Sequence, residues 1–157
     1  MNKFDISEIY QFAIRLEENG EKFYRQMAQK FENAKLKDLF IYLADQEVKH
    51  KKLFELMVSK IEKYAPPEIY PEEYFNYIRA LADDIIFNEK KLAEEMSKIK
   101  DIIGAIDYAK ENESASILYY QGIKNLISDS QHASIDKIIE EERNHFVELS
   151  QLKKLIE

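Results

Sequence analysis

Apolar residues recur along this chain in steps of three and four, in four long stretches. The first row reads Tyr10, Ala13, Glu17, Gly20, Tyr24, Met27, Phe31, and the second Leu36, Phe40, Leu43, Glu47, His50, Phe54, Met57, Ile61. The third reads Ile102, Ile106, Ala109, Glu113, Ser116, Tyr120, Ile123, Ile127. The fourth reads Ile135, Ile138, Glu142, His145, Leu149, Leu152, Ile156. Such steps keep residues on one helix face, and a narrow stripe of them is the seam of a helical bundle. The pattern predicts four long helices. No clean alternating run bounded by hairpin turn residues argues for sheet.

The punctuation between the rows sets the boundaries. Helix one is expected from near Asp5, which with Glu8 is spaced like a capping box. A short break falls near Asn33. Helix two should stop before Pro66-Pro67, because proline lacks an amide donor and disfavours helix at the residue before it. Pro71 then precedes Glu72-Glu73, a first turn for a shorter helix reaching about Phe87. Residues 88 to 100 are highly charged and read as helix or loop. The third long helix starts between Asp101 and Ala105, and Ser128-Asp129-Ser130 marks the last turn. Two helical hairpins result, 5–64 and 101–157, within one domain spanning 1–157. The connection over 65–100 is too long for a turn, so it is expected to carry the chain back along the bundle.

Composition narrows the chemistry. Three glycines and three prolines in 157 residues leave few interruptions, and a chain of this size can bury a sizeable core. A net charge of −7 without a basic cluster argues against nucleic acid and against an anionic membrane surface. No apolar run approaches the ~20 residues that span a bilayer. Met1-Asn2-Lys3-Phe4-Asp5 has no signal-peptide apolar segment, so a cytoplasmic location is the expectation. There is no cysteine, which removes disulfides, thiolate metal sites and thiol catalysis from these residues.

The polar residues on the seams are the informative ones. Each of the four rows carries one Glu near its middle, and Glu47 and Glu142 are each followed three residues later by a His. Residues three apart share a helix face, so Glu47 points with His50 and Glu142 with His145. The interval from Glu17 to Glu47 is 30 residues, and from Glu113 to Glu142 it is 29. A lone Glu-x-x-His is common on solvated helices. Six such residues on four separate seams, with the spacing repeated, are not accounted for that way. Helices packed side by side would bring four carboxylates to one level, where they repel unless cations sit among them. Two divalent metals cancel four carboxylates when the histidines are neutral. Oxygen-rich ligation with two imidazoles suits iron or manganese, and zinc can also bind. His132 is expected at a helix end on the surface. Glu111, Glu140 and Glu141 should be solvated, and Met27 and Met57 belong to the core.

With these motifs the chain resembles the ferritin-like diiron-carboxylate proteins, in particular the rubrerythrin-like branch, over nearly its whole length. The resemblance rests on Glu17-x-x-Gly20-x-x-Phe23-Tyr24, Glu47-x-x-His50, Glu113-x-x-Ser116-x-x-Tyr119-Tyr120 and Glu142-x-x-His145. It implies an all-α, ferritin-like four-helix bundle whose crossover contains a short helix. It implies two iron ions held by Glu17, Glu47, His50, Glu113, Glu142 and His145, with Glu47 and Glu142 bridging. Tyr24 and Tyr120 resemble the family's tyrosines that hydrogen-bond a ligand carboxylate of the opposite hairpin, although core packing explains their positions equally well. Two departures stand out. Rubrerythrins proper carry a further carboxylate where this chain has Ser116, and they append a rubredoxin domain held by cysteines.

The resemblance implies an oxidoreductase that reduces peroxide or dioxygen with electrons from a separate donor protein, in a homodimer. The alternatives are a ferroxidase that stores iron in a many-subunit shell, since the six-ligand set also resembles bacterioferritin, and a structural bundle without functional metal. Gly20 and Ser116, one turn from Glu17 and Glu113, would leave room for an oxidant or serve close helix packing.

Overall fold

The computed structural model describes residues 6–60, 72–86 and 88–157. Among them there are six helices and no strand: α1 (Ile6–Lys30), α2 (Ala34–Ser59), α3 (Glu72–Ile85), α4 (Glu89–Ser97), α5 (Ile102–Lys124) and α6 (Asp129–Ile156). The expected cap at Asp5, Ile61 on the second row, the stop at Pro66-Pro67 and the start at Pro71 all lie outside the described residues, as does Phe87. Within the charged stretch 88–100, which the sequence allows as helix or loop, Glu89–Ser97 is helical, so the described residues of the crossover hold two helices.

Local chemistry starts the helices where the sequence allows. Asn33 sits in extended conformation and its side chain accepts a hydrogen bond from the Leu36 amide at 3.0 Å. Asn88 does the same for Lys91 at 2.9 Å, and Asp101 for Gly104 at 2.6 Å. Each satisfies one of the amides left unpaired at a helix start, worth about 1 kcal/mol. The Asn88 cap gives the charged stretch a helix start. Its apolar residues Leu92 and Met96 are four apart and both buried, against an otherwise exposed face.

The four long helices close into a ring in which α1 packs on α2, α2 on α6, α6 on α5 and α5 on α1. Cross-helix bonds fix the directions. Tyr24 reaches Glu113 while Tyr120 reaches Glu17, so α1 and α5 run antiparallel. Tyr42 meets His145 and His50 meets Glu141, so α2 and α6 do too.

The apolar core falls into two clusters. One gathers Ile9, Tyr10, Phe54, Ile78, Tyr120, Ile123 and Ile135 among others, covered by α3. The second gathers Phe23, Met27, Phe40, Leu43, Leu92, Ile106 and Leu149 among others, covered by α4. Gly122 lets α3 approach α5, for a Cβ there would lie 2.6 Å from Ile78 Cδ1. No helix among the described residues is long and apolar enough to cross a membrane.

Candidate metal centre

Between the two apolar clusters the seams turn polar. Glu17, Glu47, His50, Glu113, Glu142 and His145 are all buried, none more than 6% exposed. Among the described residues no other carboxylate, imidazole, ammonium or guanidinium side chain is buried. Burial of one unpaired carboxylate is costly, so burial of four together demands a compensating charge.

The six side chains converge in two overlapping groups. Glu17, Glu47, His50 and Glu142 offer ligand atoms within 4.8 Å of one another, and so do Glu47, Glu113, Glu142 and His145. Glu47 and Glu142 belong to both. Both histidines turn Nδ1 inward: His50 Nδ1 lies 2.8 Å from Glu142 Oε1 and 3.5 Å from Glu17 Oε2. His145 Nδ1 lies 3.6 Å from Glu113 Oε2 and 3.8 Å from Glu142 Oε2. The rings face each other with centroids 6.0 Å apart.

Tyrosines set the outer carboxylates. The Tyr24 hydroxyl donates to Glu113 Oε1 and the Tyr120 hydroxyl to Glu17 Oε1. This resolves the choice between core packing and ligand orientation: the rings do pack in the core, and the hydroxyls also orient carboxylates of the opposite hairpin. Burial, and then the neighbouring carboxylate charges, push both hydroxyls well above the usual tyrosine range, so they remain donors. With Oε1 so occupied, Oε2 of Glu17 and of Glu113 has no hydrogen-bond partner. The same is true of Glu142 Oε1 and of Nδ1 on both histidines. Five buried polar atoms without hydrogen bonds, all facing one small region, form a donor set of oxygen and imidazole nitrogen that fits two metal ions.

Without metal the cluster holds protons instead. Burial pulls His50 down, but the charges of Glu17 and Glu142 outweigh it and push it up to about 12. His145 is likewise opposed by burial, yet Glu113 and Glu142 push it up to about 10. Burial and the adjacent carboxylates hold Glu47 and Glu113 well above the usual range. Glu142 goes the other way: burial opposes its charge, but the adjacent Glu113 carboxyl and the two imidazole rings outweigh burial and keep it ionised.

One residue of the site is not where the sequence puts it. Glu141 is only partly solvated. Its Oε2 accepts from His50 Nε2 at 2.8 Å, with the side chain 35% exposed. The signal lies in the sequence, because Glu141 immediately precedes Glu142, but the three-and-four count places it off the seam. It reaches sideways to the ring of the neighbouring helix. Glu111 and Glu140 are exposed as expected. His132 is at the start of α6, partly buried, 3.7 Å from Asp129 and away from the centre.

Fold and donor set together define a ferritin-like diiron-carboxylate bundle. The chain is similar over almost its full length to a crystal structure from Thermotoga maritima described as a candidate ferritin-like diiron-carboxylate protein. The two share 27% identity and a TM-score of 0.70, over 98% of this chain and 97% of that one. The sequence model of the rubrerythrin family matches residues 8–153, and the chain belongs to that family. Comparison with curated proteins found no match.

Proposed function

We propose that the protein is a non-haem diiron oxidoreductase that reduces peroxide with electrons from a separate donor protein. The observation that carries this reading is the pair of donor sets sharing Glu47 and Glu142. Glu17, Glu47, His50 and Glu142 would hold one iron, and Glu47, Glu113, Glu142 and His145 the second. Two ferrous ions held there would each give up one electron, the pair needed to convert one hydrogen peroxide and two protons into two waters.

The chain does the rest. Tyr24 and Tyr120 fix Glu113 and Glu17, and Glu141 fixes His50 with Nδ1 turned inward. The apolar clusters on either side keep bulk water away from the carboxylates, so each charge interaction is stronger than it would be at the surface. The protons held by His50, His145, Glu47 and Glu113 must leave when metal enters, so loading is favoured as pH rises. The 157 residues contain no cysteine, so a thiolate-bound electron donor lies outside them.

The test is anaerobic loading with ferrous iron followed by rapid mixing with hydrogen peroxide or with oxygenated buffer. Peroxide is expected to oxidise the protein faster than dioxygen at equal concentration. Equal or slower oxidation by peroxide would overturn the peroxidase reading and leave oxygen-driven iron oxidation in its place.

A further inference from the structure

A cavity lies between α1 and α5, against the centre. Its floor includes Glu47 and Glu113, and its walls include Gly20, Asn112 and Ser116. Of the six candidate ligands only those two line it, and both belong to the donor set that contains His145. The two members peculiar to the other set, Glu17 and His50, do not line the cavity, and Glu17 is bonded to Tyr120.

Gly20 keeps the floor open. A Cβ at this position would lie 3.1 Å from both Cδ and Oε2 of Glu47, closer than ordinary packing. An alanine would therefore press on the Glu47 carboxylate from the cavity side. The opposite wall comes from the crossover: Ile85 closes α3 and Leu92 lies on α4, and both line the same space. The volume is about 20 Å³. One water-sized sphere occupies roughly 10–15 Å³ on this measure, so there is room for a molecule of one or two oxygen atoms. The lining has no cationic side chain, so the protein offers an anion no partner there. Ser116, Asn112 and Tyr108 bring neutral donors and acceptors.

We infer that this cavity is the oxidant's access site, that it admits neutral molecules of two heavy atoms and excludes alkyl hydroperoxides, and that it delivers them to the Glu113 side of the centre. The inference rests on the diiron reading above and adds to it a substrate class and a direction of approach. Ser116 and Leu92 are the residues that set the size. Ser116 stands at the wall beside Glu113's helix turn, and Leu92 seals the space from the crossover.

The test compares the iron-loaded, anaerobically reduced protein with its Ser116→Leu and Leu92→Ala variants, each first checked for two irons per chain. Nitric oxide, a neutral two-atom probe, is titrated by visible absorption. Oxidation by hydrogen peroxide and by cumene hydroperoxide is then timed. Ser116→Leu is expected to weaken nitric oxide binding at least about tenfold, because leucine fills the cavity. In the unsubstituted protein cumene hydroperoxide should react at least about tenfold more slowly than hydrogen peroxide, and Leu92→Ala should narrow that ratio. Unchanged nitric oxide affinity in Ser116→Leu, or equal rates for the two peroxides in the unsubstituted protein, would overturn the inference. Should Ser116→Leu not hold two irons, the rate ratio in Leu92→Ala decides alone, and an unchanged ratio counts against it. If hydrogen peroxide proves not to be the oxidant, the peroxidase reading fails, while nitric oxide binding still decides whether the cavity is the way in.

Discussion

His50 and His145 both turn Nδ1 toward the shared carboxylates, but the two rings have different neighbours. On the outer side of His50, Glu141 accepts from Nε2 at 2.8 Å. Beside His145 stands the half-exposed Tyr42, its ring perpendicular at 6.2 Å. The residue that precedes Glu47, as Glu141 precedes Glu142, is Gln46, a neutral amide. The cavity shows the same inequality, since it touches the carboxylate peculiar to the His145 set and not the one peculiar to the His50 set. A repeated sequence pattern thus builds two matching donor sets, and the residues around them make the sets unequal. One position is anchored by an anionic partner and closed; the other is open to a small molecule.

The largest effect should come from removing what the two sets share. Glu47→Ala or Glu142→Ala should drop bound metal from about two ions per chain to near zero, because each removes a donor from both sets. Glu17→Ala or Glu113→Ala should leave about one ion, since each belongs to one set. Metal analysis of purified, iron-exposed protein reads this directly, and equal loss from all four variants would count against two separable positions.

Proton linkage provides the next largest effect. His50 and His145 have folded-state values raised to about 12 and about 10 in the metal-free protein. Groups raised on folding contribute stability that is fully present below the unfolded value, near 6.5, and is lost as pH rises through the folded one. Glu47 and Glu113, also raised, act in the same direction from their own unfolded value upward. Above pH 6.5 the metal-free protein should therefore lose up to about 1.4 kcal/mol per pH unit for each proton it retains. Metal binds better over the same range, so the melting-temperature gap between loaded and metal-free protein should widen between pH 6 and 9. A constant or shrinking gap in calorimetry would show that the buried cluster does not hold these protons.

Glu141→Gln probes the inequality itself. Losing an anionic partner behind a ligating histidine typically weakens metal affinity about 10–100-fold. The loss should fall on the His50 set alone, separating the titration into two steps. Gln46→Ala should leave the titration as it is in the unsubstituted protein, without that separation.

Tyr24→Phe and Tyr120→Phe come lower on the scale. Each leaves a buried carboxylate oxygen without its donor, at a cost of about 1–3 kcal/mol in denaturant unfolding of the loaded protein. Similar values for the pair would confirm that the tyrosines preserve the twofold plan; a large difference would extend the inequality to them. The smallest effect belongs to Lys22→Ala. The Lys22–Glu89 pair joins α1 to α4 at 3.1 Å but is well exposed, so its loss should cost less than about 0.5 kcal/mol.

The seam rows could be read from the sequence because a helix in a bundle has one buried stripe, and its period survives in the order of residues. Leu36, Phe40, Leu43, Glu47, His50, Phe54 and Met57 are all buried, in the order the period dictates. The six polar residues were legible for the same reason: a charged residue breaking an apolar stripe is conspicuous. Phe31, Ile102 and Ile156, at the row ends, are only partly buried, because the seam frays where neighbouring helices stop. Glu141 was not legible. Its role depends on how far a side chain off the seam can reach across to α2, and that is set by the packing of α6 on α2. The helix at Glu89–Ser97 was ambiguous because nine charge-rich residues carry too little period, and the Asn88 cap settles it. The cavity depends on the crossover folding back over α1 and α5, a contact between residues such as Leu92 and Gly20 that are distant in the chain.

A dinuclear centre with two unequal positions has a distinct signature in Mössbauer spectroscopy of the oxidised protein, loaded with iron-57 and checked for metal content. Two ferric ions per chain are expected, coupled to a diamagnetic ground state and giving two resolved quadrupole doublets of equal area. A single iron per chain, or uncoupled high-spin ferric ions, would contradict it.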